Sequence, residues 1–151
     1  MHGLPLRKME ARNSEKNAGF GISKATSNNI IAMGSLFGGQ DNGGTVHLFD
    51  PATGEEQSVL TSPNSQDGGF LEYCLAMDEE FILIGAPLDA AGESSGVVLY
   101  LFDLVEGREI QQIFASDLDQ NDEFGFAVAW HNNSALTSSR VEGEVPINAS
   151  G

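Results

Sequence analysis

The sequence predicts an all-β fold built from repeated four-stranded antiparallel sheets. Three observations carry that prediction: an internal repeat, an abundance of turn residues, and apolar runs of strand length. The run from Gly43 to Leu60 overlays Gly96 to Ile113 at a constant offset of 53, which sets Leu48-Phe49-Asp50 on Leu101-Phe102-Asp103 and Gly54 on Gly107. Ile30 to Gly34 falls on Phe81 to Gly85 at an offset of 51, so the loop between the halves is two residues longer in the second copy. A third start, Phe124 to Ala129, matches Phe20 to Ala25. Periods in the fifties with apolar runs mean stacked supersecondary units. Gly supplies 18 of the 151 residues, a proportion that suits a short-stranded protein with many turns.

The second copy shows the elements most plainly. Leu71 to Met77 reads as its first strand, closed by Asp78-Glu79-Glu80. Phe81 to Ala86 is apolar throughout rather than alternating, the pattern of a strand covered on both faces. A Gly- and Ser-containing loop, Pro87 to Ser95, leads to a further apolar run at Val97 to Phe102. Asp103 to Gly107 supplies turn chemistry with a Gly suited to positive φ, and Glu109 to Ala115 is the fourth strand. The first copy has Asp50-Pro51-Ala52-Thr53-Gly54 at the same turn. In the third copy Ser134 to Ser139 reads Ser-Ala-Leu-Thr-Ser-Ser, too polar for a buried strand, so the second strand is expected to be lost there.

Four short antiparallel strands per unit with sandwiched middle strands describe a propeller blade. The predicted fold class is an incomplete β-propeller of two four-stranded antiparallel blades and the start of a third. The expected organisation is a flexible basic arm at 1–18, blades at about 19–69, 70–123 and 124–139, and a tail at 140–151. A β-sandwich shares the short strands but gives no reason for an internal repeat in register. Helical repeats fail because no segment between residues 20 and 130 sustains a 3.6-residue apolar period without Gly or Pro.

Charge is unevenly placed. Arg7, Lys8, Arg12, Lys16 and Lys24 precede residue 25, whereas the remainder carries 20 acidic residues against Arg108 and Arg140, a formal balance of −18. Such a body repels phosphate backbones, which argues against a nucleic-acid partner. The basic arm is read as lying on the acidic body or as a disordered lead-in. Nothing is long and apolar enough to span a bilayer, and Met1 to Asn17 lacks a signal-type apolar stretch. The single cysteine, Cys74, permits no internal disulfide and reads as a small buried hydrophobe.

The units resemble the FG-GAP repeat of integrin alpha-chain heads and related extracellular propellers. The resemblance rests on Phe20-Gly21, Phe124-Gly125 and Gly85-Ala86-Pro87, with the following strands at Gly43 to Asp50 and Gly96 to Asp103, and it covers residues 19 to 139. Leu71-Glu72 stands where the middle copy should have Phe-Gly, and Gly34-Ser35-Leu36 where the first should have Gly-Ala-Pro. The resemblance implies a non-catalytic interaction or adhesion scaffold at a cell surface or outside the cell, part of a larger propeller. Its partners would be another protein or further blades, with self-association possible through exposed blade faces. The rival is a fragment of an enzyme propeller, quinoprotein-like or polysaccharide-active, whose chemistry lies in blades this sequence lacks. The Trp that marks quinoprotein repeats after the Asp50 to Glu55 turn is missing, Gln57-Ser58 standing in its place.

Candidate chemistry is sparse. Asp117, Asp119, Asn121 and Asp122 space oxygen ligands at near-alternate positions, as Ca2+ loops do. The loop has no Gly at its sixth position and precedes Phe124-Gly125, whereas the resemblance places cation loops after that strand. An acidic inter-blade linker is therefore the default, and no cofactor is expected beyond this candidate calcium loop. His47 shares the strand position of Tyr100 and reads as packing, and Trp130 reads as core. No nucleophile elbow, paired cysteine ligands or phosphate-cradling loop occurs. Asn132-Asn133-Ser134 and Asn148-Ala149-Ser150 satisfy the glycosylation sequon.

Overall fold

The computed structural model describes residues 7–12, 18–39, 43–61, 74–86, 98–114 and 122–141. Among them are ten strands in antiparallel sheets and no helix. The first sheet runs β1 (Phe20–Thr26), β2 (Ile31–Ser35), β3 (Thr45–Phe49) and β4 (Glu56–Leu60), each paired with the next. The second sheet repeats that order with β5 (Cys74–Met77), β6 (Phe81–Ala86), β7 (Val98–Asp103) and β8 (Arg108–Phe114). A hairpin of β9 (Asp122–His131) and β10 (Ser134–Val141) follows. Of the predicted first strand of the second copy, residues 71–73 lie outside the described residues.

The repeat seen in the sequence is a repeat of strand register. Lys24 pairs with Met33 as Leu75 pairs with Ile84, and Ser35 pairs with Thr45 as Ala86 pairs with Val98. The β3–β4 ladder shifts between Leu48 and Phe49, and the β7–β8 ladder shifts between Leu101 and Phe102. Each shift precedes the same turn. Asp50 Oδ1 accepts from the N–H groups of Ala52 and Thr53, and Asp103 Oδ1 accepts from those of Val105 and Glu106. Gly54 and Gly107 donate back to the carbonyls of Asp50 and Asp103 and close the turns at φ of 75° and 64°, where a Cβ would be strained.

Alternation of side chains divides the core into two layers. Ile82, Ile84, Ala86, Tyr100 and Phe102 of the second sheet pack on Ala32, Val46, Leu48 and Leu60 of the first. The opposite face of the same strands carries Leu83, Leu99 and Leu101, which pack on Val128 and Trp130 of β9. Thus β6 is buried over Ile82 to Ala86, as expected of a strand sandwiched between layers. Tyr100 and the three core residues Ile82, Leu83 and Ile84 are each fully buried. At about 25 cal/mol per Å2 of apolar surface, each contributes on the order of 2 kcal/mol.

Glycine sets how close the layers come. A Cβ on Gly85 would collide with the Gly125 carbonyl of β9 and with Cys74 Sγ. Gly125 itself has a φ of 81° and marks the register shift in β9, which matches the shift at Gly21 in β1, φ 84°. Phe124 pairs with Ser139 as Phe20 pairs with Ser35, and Val128 pairs with Thr137 as Lys24 pairs with Met33. The hairpin therefore reproduces the β1–β2 pairing in full.

That match corrects one expectation. The second strand of the third copy is present as β10, although Ser134 to Ser138 is polar. Its pairing is set by the turn, where Asn132 and Asn133 have φ of 46° and 58°, the two left-handed residues of a tight hairpin. Polar residues are tolerated because Ser134, Ala135, Leu136 and Ser138 are exposed, so β10 is not the buried strand that the register of the repeat would ask for.

Gly85→Ala should destabilise the fold by about 1–3 kcal/mol, because backbone of β9 rather than a flexible side chain occupies the space. Urea unfolding followed by far-UV circular dichroism measures it, and Gly107→Ala serves as a comparison limited to turn strain.

Candidate functional site

Three polar side chains meet on the first sheet, on the face turned away from the second. Thr45 and His47 lie two apart on β3, so they share a face, and Glu56 begins β4 opposite Phe49. Thr45 Oγ1 lies 2.9 Å from His47 Nε2, and His47 Nδ1 lies 2.5 Å from Glu56 Oε1. The remaining carboxylate oxygen, Oε2, accepts from the Arg12 backbone N–H at 3.1 Å, and the Arg12 guanidinium donates to the Glu56 carbonyl at 3.0 Å. Phe20 packs edge-on to the imidazole with ring centres 5.4 Å apart, and Phe49 stacks with it at 6.5 Å.

Hydroxyl, imidazole and carboxylate in this order have the connectivity of a proton relay. All three side chains are buried, Thr45, His47 and Glu56 being 4%, 7% and 9% exposed, so the hydroxyl is shut off from solvent. The arrangement is a satisfied polar network in a core position. Each member supplies the partner the others need, which is the condition for burying such groups at all. In the second sheet the equivalent of His47 is Tyr100, packed into an apolar layer.

Burial alone would raise the Glu56 carboxyl pKa, but the His47 hydrogen bond, the Arg12 N–H and the electrostatic influence of the same two residues hold it below its ordinary value of 4.5. A carboxylate held low in the folded state stabilises the fold above the unfolded pKa, and that contribution is lost as pH falls through the folded value.

A second polar contact joins sheet to hairpin. Asp78 Oδ1 accepts from the N–H groups of Glu80 and Phe81 at 2.9 and 2.8 Å, and Oδ2 accepts from the Trp130 indole at 2.5 Å. Burial pushes its pKa up, and these donors outweigh it and bring the carboxyl below 3.8. Trp130 rests on the second apolar layer with its ring edge-on to Phe81. Nearby, Asn28 and Asn29 donate to the two carboxylate oxygens of Glu79, so the first turns of both sheets touch. Cys74 is half-buried with its thiol donating to the Gly125 carbonyl at 3.0 Å, and burial pushes the thiol up to about 11. That environment suits a packing thiol rather than a thiolate.

Of the candidate calcium loop, Asp117, Asp119 and Asn121 lie outside the described residues, and Asp122 opens β9 with its backbone paired to Val141. Among the described residues no three His, Cys, Asp or Glu side chains gather as a metal site, and no helix is long and apolar enough to cross a membrane. Sequence reasoning read His47 as a packing residue but missed its partner. The signal available was a Glu at the start of the next strand, but without the strand register nothing linked positions 47 and 56. In comparisons with known proteins, no family model and no curated sequence matches the chain.

Two outcomes follow from this chemistry. The stability difference between the native protein and Glu56→Gln should be about 1–3 kcal/mol at pH 7 and shrink as pH falls below 4.5, read from urea midpoints at each pH. Asp78→Ala should cost a similar amount, about 1–3 kcal/mol, and change the emission of Trp130, the one tryptophan, as the indole loses its charged acceptor.

Proposed function

We propose that this chain is a segment of an FG-GAP-type β-propeller and serves as a non-catalytic protein-interaction scaffold. The observation that carries the reading is the common sense in which the layers stack. In both sheets the third strand turns one set of residues forward and the other back: Val46 and Leu48 in the first and Leu99 and Leu101 in the second face the following layer. Tyr100 and Phe102 face the preceding one, and their counterparts His47 and Phe49 lie on the face of the first sheet turned away from the second. Radial repetition of four-stranded sheets has this property, because each blade is covered by its two neighbours. The contact of Gly85 with Gly125 joins the two halves of the FG-GAP signature across adjacent units and supports the same reading.

The scaffold role rests on the open face of the hairpin. Ala127, Ala129 and Leu136 are exposed there, Leu136 at 72%. The corresponding positions of the first hairpin include Ala32, which is fully buried against the second sheet. A face of this composition is suited to another protein surface or a further blade. The resemblance places such scaffolds at cell surfaces and outside cells, where they serve adhesion.

Light scattering over a concentration series tests the reading. Self-association or capture of a blade-like partner that Leu136→Lys weakens tenfold or more, about 1.4 kcal/mol, supports the open face as the docking surface. Binding and association indifferent to Leu136→Lys and to Ala129→Lys would remove that surface and the scaffold role with it.

A further inference from the structure

Residues 7–12 are joined to the first sheet at two points. The Arg7 guanidinium donates to the Ala52 carbonyl in the β3–β4 turn, with its Cδ in the space left open by Gly54. Among the described residues, the hydrogen bonds from the segment to β4 all end on Glu56: the Arg12 N–H donates to Oε2 at 3.1 Å, and the Arg12 guanidinium donates to the Glu56 carbonyl at 3.0 Å. Ala11, next to this contact in sequence, is 7% exposed, so the segment is seated on the body and not merely tethered to it.

Glu56 is therefore a joint between the segment and the buried network. Its other carboxylate oxygen, Oε1, meets His47 Nδ1, and Thr45 Oγ1 holds His47 Nε2. The Glu56 side chain is 6% exposed and that of Arg12 71%, so a buried anion holds an exposed cation. A hydrogen bond to such an anion is about twice as strong as one between neutral groups. A proton on Oε2 would face the Arg12 N–H, donor against donor, and a proton on Oε1 would leave that bond in place without its charge. Either way the hold on Arg12 weakens. The groups that face the carboxylate are His47 from β3 and Arg12 from the segment. Of the other acids at this corner, Asp50 is engaged by its own turn and Glu10 is paired with Lys8, while Glu55 is exposed.

We propose that Glu56 is an acid-operated latch: ionised, it holds residues 7–12 on the first sheet through Arg12, and on gaining a proton it releases them while the three layers stay folded. The two apolar layers of the core contain no group that titrates in acid, so the release is local. The folded carboxyl titrates below 4.5, so docking is complete above that pH and is lost as pH falls through the folded value. The latch stands apart from the propeller reading, because it concerns one sheet and one segment.

Hydrogen–deuterium exchange of the whole chain at micromolar concentration, read by mass spectrometry from pH 7 down to pH 3.5, tests the latch. Relative to intrinsic exchange rates, protection of residues 9–12 should fall roughly tenfold over that range while residues 82–86 of β6 keep theirs. In Glu56→Gln, a neutral stand-in for the protonated acid, residues 9–12 should have the low protection already at pH 7 and show no response to pH. Protection at 9–12 that is constant with pH in the native chain, or that is lost only together with that of β6, overturns the latch, as does a pH response that persists in Glu56→Gln. The comparison of 9–12 with β6 within the native chain decides the matter even where Glu56→Gln disturbs the buried network.

Discussion

The structure depends on the burial of the second sheet from both sides. A strand such as β6 exposes apolar side chains on each face, and a single sheet can hide only one of them. The second sheet is stable because the first sheet takes Ile82, Ile84, Tyr100 and Phe102 while β9 takes Leu83, Leu99 and Leu101. The other layers follow from that need. The first sheet presents Val46 and Leu48 because Tyr100 and Phe102 require a partner, and β9 must approach closely enough that only glycine fits at position 85.

The two flanking layers each pack one face on the second sheet, and they treat the other face differently. The first sheet turns a polar network outward, Thr45, His47 and Glu56, sealed by Phe20 and Arg12. Where the second sheet spends a tyrosine on packing, the first has a histidine whose two ring nitrogens are both engaged. A buried histidine and carboxylate cost desolvation, and they are tolerable here because each polar atom has a partner. The hairpin instead dilutes its open face with Ser134 and Ser138 and leaves Leu136 among small alanines. Polar substitution on a half-covered sheet is the ordinary pattern of antiparallel structure.

Much of this was legible in the residues. The offsets of 51 and 53 in sequence are the offsets of the strand ladders, and the unbroken apolar run at Phe81 to Ala86 foretold a strand covered twice. The Asp–Gly turns are legible because their chemistry is local: one carboxylate caps two N–H groups and one glycine turns the chain. What escaped was whatever depends on a distant partner or on competing local signals. The Ser134 to Ser138 segment looked unfit for a strand when judged by burial, yet the Asn132-Asn133 pair is a hairpin signal that outweighs it once the strand is exposed. Glu56 could not be assigned to His47 from spacing, since nine residues apart in sequence becomes one hydrogen bond only after the β3–β4 register shift is known.

The same distinction bears on where chemistry can reside. A relay of hydroxyl, imidazole and carboxylate catalyses only when a reactant reaches the hydroxyl, and the backbone of Gly38 and Gly39 sits so near Thr45 that a methyl group on either would crowd it. Opening a path would mean moving that turn and stripping the network of the contacts that make its burial tolerable. The carboxylate's opposite oxygen, by contrast, is reached by an arginine from outside the sheet. Satisfying the buried polar groups therefore also fixes the Glu56 carboxylate as an acceptor near the edge of the sheet.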